Sequence, residues 1–225
     1  MLKIFFCFLA LITIGCGKKD KDSNLKSSQE LQSSSIVEGE YYSQIRPINT
    51  RVNGIINSGI AEIKIIGEQF EIKLYMDDLG STSHKQFIYS GSKCPSPSDD
   101  LNGDKIIDFD EIRQVSGEPL IPLDGDLNSQ EAGKEVFPNG RSYDYTKKAT
   151  VSSLLNDLKV TDNNPSDYLT KLKSNEKLNF DSRVIIIFGA PNVTSVPIPN
   201  SVFALNNGSI NQNIPVACGM IKKVL

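Results

Sequence analysis

Between Ala61 and Met76 apolar residues return at every second position, and this period limits the fold more than any other feature of the chain. Ala61, Ile63 and Ile65 alternate with Glu62, Lys64 and Ile66. Gly67, Glu68 and Gln69 then turn the chain, after which Phe70, Ile72, Leu74 and Met76 alternate with Glu71, Lys73 and Tyr75. Side chains of a strand project to opposite faces in turn. The pattern therefore predicts a β-hairpin with one buried face and one wet face.

Other segments carry strand character without the alternation. His84 to Tyr89 reads as a third strand, closed by Ser90 and Gly91, and Arg183 to Phe188 as another, closed by Gly189, Ala190 and Pro191. Pro215 to Ile221 reads as the last. Leu154, Leu155 and Leu158 give Val151–Val160 helical spacing, and Asp167–Leu172 is expected to be a second short helix. No internal repeat or long amphipathic helix interrupts this pattern. The chain of 225 residues suffices for one sizeable domain. The expected class is mainly β, an antiparallel β-sandwich over residues 36–225 with a loop and short-helix insertion at about 95–180.

The insertion contains the most specific chemical signal. In the twelve-residue run from Asp100 to Glu111, side-chain oxygens fall at positions 1, 3, 5, 9 and 12: Asp100, Asn102, Asp104, Asp108 and Glu111. Position 7, Ile106, would add its backbone carbonyl, and Ile107 at position 8 would anchor the loop. A hard cation takes six to eight oxygens, which a looping backbone with every second side chain turned inward supplies. The run resembles an EF-hand loop, and the expected cofactor is calcium. It departs from that pattern twice. Lys105 stands where glycine is usual, and the prolines at 95 and 97 oppose an entering helix. An exiting helix is expected from Phe109 to Val115. The competing reading is a solvated acidic turn, because Asp, Asn and Gly are ordinary turn residues. Asp124, Asp126, Asn128 and Glu135 fall at positions 1, 3, 5 and 12 of a weaker second loop, with Glu131 at its apolar position.

The N-terminus reads as an export signal: Lys3, an apolar run from Ile4 to Ile14, then Gly15 and Cys16. That run is too short to span a bilayer. Thr13-Ile14-Gly15-Cys16 resembles a bacterial lipobox, which implies residues 1–15 as signal peptide and lipid on Cys16. No Asp follows Cys16, and by resemblance to Gram-negative lipoproteins this favours the outer membrane. Residues 16–35 hold almost nothing to bury and read as a flexible tether reaching roughly 25 Å. With Cys7 in the signal and Cys16 lipidated, Cys94 and Cys218 remain and are expected to form one disulfide in an exported domain. A net charge of −3 without basic clusters in the body argues against nucleic acid as a partner.

Two segments resemble the copper–zinc superoxide dismutases and the related chordin-type domains. Phe87-Ile88-Tyr89 stands where that family carries a His-x-His pair, with Cys94 five residues on. Ala217-Cys218-Gly219-Met220-Ile221 matches its C-terminal Ala-Cys-Gly-x-Ile, and Phe188 stands at another copper-ligating position. The resemblance covers about 55–94 and 183–221. It implies an antiparallel Greek-key β-sandwich and the Cys94–Cys218 bridge, but not the activity. Copper chemistry needs several imidazoles, and the chain's one histidine, His84, cannot supply them. No nucleophile elbow or phosphate-binding glycine loop is present. The sequence therefore points to a calcium-binding, non-enzymatic lipoprotein of the cell envelope, anchored to the membrane by lipid. Its ligand would be envelope or extracellular material of unknown identity. The rival class is a hydrolase or an unrecognised metalloenzyme.

Overall fold

The structure, a computed structural model, describes residues 36–53, 56–80, 82–128, 136–159, 168–173, 176–190, 198–205 and 210–225. The signal peptide, Cys16 and the tether lie outside the described residues, as do Glu131 and Glu135. The chain is mainly β, as its periodicity predicts. Eight strands form one antiparallel sheet: β1 (Gly39–Pro47), β2 (Ser58–Ile66), β3 (Gln69–Asp77), β4 (Gln86–Tyr89), β5 (Pro119–Pro122), β6 (Tyr143–Thr150), β7 (Val184–Phe188) and β8 (Pro215–Lys223). The spatial order is β5-β4-β7-β8-β1-β2-β3-β6, and the sheet curls into a half-barrel. Among the described residues four short α-helices accompany it: α1 (Thr50–Asn53), α2 (Phe109–Ser116), α3 (Val151–Asp157) and α4 (Ile210–Asn213).

The predicted hairpin is β2–β3, paired in register from Ser58↔Asp77 to Ile66↔Gln69. Its two-residue turn, Gly67–Glu68, needs a positive φ at the first position; Gly67 adopts +55° at no steric cost. Every inward residue from Ala61 to Met76 is buried. β1 adds Tyr41, Ser43 and Ile45 to the same face. The apolar residues of this face, with Ile185 and Ile187 of β7 and Ile88 and Ile121 from the far side of the sheet, form the main core. The two arms of the curl thus share one interior.

A second core covers the outer side of β4, β7 and β8. Phe87, Tyr89, Val184, Ile186, Phe188 and Cys218 pack there against Ile107, Ile112, Leu169 and Leu205. Phe87 is its hub, in edge-to-face contact with Phe188 at 6.1 Å and with Phe137 at 5.4 Å between ring centroids. The expected disulfide is present between Cys94 and Cys218. Cys218 pairs with Arg46 of β1 on one side and Ile186 of β7 on the other, so β8 is the strand common to both arms. A β-carbon on the next residue, Gly219, would lie 2.3 Å from the Ser43 hydroxyl oxygen, which leaves room only for glycine.

The structure corrects one helix. Tyr168–Leu172, the described part of the expected Asp167–Leu172 helix, is not helical. The Thr170 N–H donates to Pro119 O at 2.8 Å and the Leu172 N–H to Leu158 O at 2.9 Å. Leu169 enters the second core and Leu172 the main one. An extended run can serve both cores, whereas one face of a single helical turn cannot. Segment 95–180 also does more than insert loops and short helices, because it supplies both edge strands, β5 and β6. His84 precedes its strand and is fully buried. Its ring nitrogens face the carbonyl oxygens of Phe188, Gly80 and Gly140 at 3.1, 2.8 and 3.1 Å.

Candidate functional site

The run from Asp100 to Glu111 folds as a closed loop entered from a 3-10 turn at Pro97–Asp99 and leaving through α2. The prolines exclude an entering helix, as expected from the sequence. The exiting helix begins where expected, at Phe109. Asp108 is its N-cap: the Asp108 carboxylate accepts from the Glu111 N–H at 3.1 Å, and the Glu111 carboxylate accepts from the Asp108 N–H at 3.0 Å. Two orphan donors of the helix start are satisfied reciprocally.

The side chains at the spaced positions all turn back onto the loop's own backbone. The two Asp100 oxygens accept from the Gly103 and Lys105 N–H groups at 2.7 and 2.8 Å. Asn102 accepts from the Asp104 N–H and Asp104 from the Ile106 N–H, each at 2.9 Å. Glu111 reaches back across the ring to accept from the Leu101 N–H at 2.7 Å. The sharp bend falls at Lys105, whose φ of +70° is the left-handed conformation that glycine adopts most easily. First and last acidic positions are thus brought to one ring. Among the described residues, however, no three His, Cys, Asp or Glu side chains converge as a ready metal-ligand group.

Burial distinguishes the members of the loop. Asp108 and Glu111 are buried, Asp100 is half-buried and Asn102 is exposed. Burial raises the Asp108 carboxyl above the usual carboxylate range, against the lowering effect of N–H groups from Phe203, Glu111 and Asp110. An ion beside it would offset that penalty, since opposite charge favours the ionised form. Ile106 enters the main core and Ile107 the second, so consecutive residues anchor the loop on both.

Three supports of the loop have no sequence signal. The Asn49 side-chain amide accepts from the Ile107 N–H at 2.7 Å and donates to Ile107 O at 2.7 Å, as a neighbouring strand would. The same amide donates to Pro215 O at 2.9 Å, tying the loop to β8. The Ser201 hydroxyl donates to Asp104 at 2.6 Å, and the Phe203 N–H to Asp108 at 2.8 Å. These partners are 58 to 97 residues away in sequence. Asn49 is itself a turn residue type, but nothing near it marks Ile107 as its partner.

The second acidic run is arranged differently. The Asp126 N–H donates to Asp124 at 3.0 Å and the Asn128 N–H to Asp126 at 2.9 Å. Asn128 also accepts from the Thr150 N–H at 3.2 Å, which fastens this turn to the end of β6. Its candidate twelfth position, Glu135, lies outside the described residues. No known protein family matches the sequence, and no curated protein is significantly similar to it.

Proposed function

We propose that the chain is an exported, lipid-anchored and non-enzymatic binding module whose 100–111 loop takes calcium. The observation that carries this reading is the backbone of the loop. Lys105 accepts a left-handed conformation and gives its N–H to Asp100, while Asp108 and Glu111 cap the exiting helix and close the ring. A solvated acidic turn has no need of that closure. Calcium would be held by Asp100, Asn102, Asp104, Asp108, Glu111 and the Ile106 carbonyl. It would draw together carboxylates that otherwise repel.

The second core supports the absence of copper chemistry. Phe87, Tyr89 and Phe188 occupy the positions where the superoxide dismutase resemblance would place imidazoles, and all three are fully buried among apolar neighbours. Lipid on Cys16 and an outer-membrane location rest on the N-terminal sequence alone. The partner would be extracellular or envelope material.

Thermal melting with calorimetry tests the calcium reading. Calcium at about ten times its dissociation constant should stabilise by roughly 1.4 kcal/mol, and magnesium by less. Asp104→Asn, which can keep both of its bonds, should melt near wild type in chelator yet gain less from calcium. Equal melting in chelator and in millimolar calcium, with no heat of binding, would show the loop to be an acidic turn.

A further inference from the structure

We propose that the open cleft between the end of β1 and the 100–111 loop binds an acidic peptide segment, whose carboxylates pair with Arg46, Arg51 and Lys105. This names the ligand of the binding module and rests on that reading, but not on calcium. The cleft encloses about 700 Å³, within the roughly 300–1,000 Å³ usual for ligand sites. Arg46 at the end of β1, Arg51 on α1 and Lys105 on the loop all line it, and all are exposed. Among the described residues none of the three belongs to an ion pair. Arg46 donates to Gln44 at 3.2 Å. The acid on the lining, Asp100, already spends both oxygens on the Gly103 and Lys105 N–H groups. The whole chain carries 27 acidic residues against 24 basic ones. Three uncompensated cations around one cleft are therefore a local excess that composition does not explain.

Backbone strain points to the same place. Among the described residues, non-glycine positive φ occurs at Asn49 (+54°), Asp78 (+56°) and Lys105 (+70°). Two of these, Asn49 and Lys105, line the cleft. Such conformations persist where the surrounding structure enforces them, and they gather at ligand clamps. Lysine is a costly choice at Lys105 on two counts: glycine would relieve the backbone, and a positive charge repels a cation in the loop. Both costs are explained if the ammonium group serves the cleft.

The walls are fixed before any ligand arrives. The disulfide pins the chain ahead of Pro95 to β8, and Asn49 clamps Ile107. Preformed walls reduce the ordering cost of binding. Pro47, Ile48, Pro95 and Pro97 give an apolar lining beneath the cations. That combination suits a ligand with an apolar body and carboxylates, which guanidinium groups grip in bidentate fashion. Phosphate alone would leave the apolar lining unused.

Calorimetric titration of the full chain with a terminally blocked Glu-Leu-Glu-Leu peptide, in chelator and in millimolar calcium, tests the proposal. Saturable binding should weaken at least about tenfold in the Arg46→Ala, Arg51→Ala double variant, since each lost charge-assisted contact is worth that order. It should also weaken as salt rises. Lys105→Gly should melt higher yet bind the peptide several-fold more weakly, which a purely structural role would not produce. Gln-Leu-Gln-Leu should not bind. The proposal is overturned if the neutral peptide binds equally, if the variants match wild type, or if no heat appears near 10 mM acidic peptide. It is equally overturned if a tri-uronate or anionic vesicles bind through these cations and the peptide does not. Peptide binding in chelator supports the cleft even where calcium fails. Calcium heat without peptide binding removes the cleft alone.

Discussion

The arm built from β1, β2 and β3 shows water one face, whereas β4, β5 and β7 show it none. Along β2 the residues alternate strictly between exposed and buried. Along β7 all five residues are buried. The sheet is continuous, so the difference does not lie in pairing. It lies in what stands behind each arm. Segments 95–128, 168–173 and 198–205 lay Ile107, Ile112, Leu169 and Leu205 over the outer side of β4 and β7, while Tyr42, Ile60 and Tyr75 on the other arm face solvent. A one-sided strand needs alternation, but a two-sided strand needs apolar residues throughout. The candidate loop belongs to the covered arm, where the covering chain had already to be held down, and the cationic cleft lies between that loop and the end of β1.

Substitutions can break this contrast, and their effects should fall in a definite order. Phe87→Ala would empty the hub of the second core and should cost about 3–5 kcal/mol in denaturant unfolding. A cost under about 1 kcal/mol would show the covering segments to be only loosely attached. Replacing Cys94 and Cys218 together by Ala removes a link between residues 124 apart. This should cost about 2–4 kcal/mol and should loosen the covered arm first, read as faster amide exchange at Ile107 and Ile112 than at Ile63 and Ile72. Paired turn variants should then move in opposite directions. Lys105→Gly should raise stability by about 1 kcal/mol and Gly67→Ala should lower it by a similar amount, because both sites hold a positive φ. Last, Tyr75→Thr on the wet face of β3 should change stability by about 0.5 kcal/mol or less. A larger loss would mean that this face is covered.

The same contrast explains what the sequence made legible. The β2–β3 hairpin could be read residue by residue because one-sided burial writes its period into the chain. β7 and β8 were readable as apolar runs, with ends one or two residues out. β1 escaped notice because Ser43 sits on its inward face between Tyr41 and Ile45, and Arg46 and Pro47 end it. β5 escaped because proline stands at both ends, which an edge strand tolerates. β6 buries only Tyr145 and Ala149 and otherwise reads as a polar loop. The 100–111 loop was visible because its spacing is local: Asp100 to Lys105 and Asp108 to Glu111 need no knowledge of the fold. Asn49, Ser201 and Phe203 were invisible, since their contacts exist only once β8 and the loop lie side by side.

β8 is the shared neighbour of β7 and β1, so without it the sheet separates into β1-β2-β3-β6 and β5-β4-β7, each with an open edge awaiting the same partner. Open edges are templates for pairing with other chains. The strand that removes both edges also carries Cys218 and brings it to Cys94. Sealing the sheet and locking it by oxidation are one step.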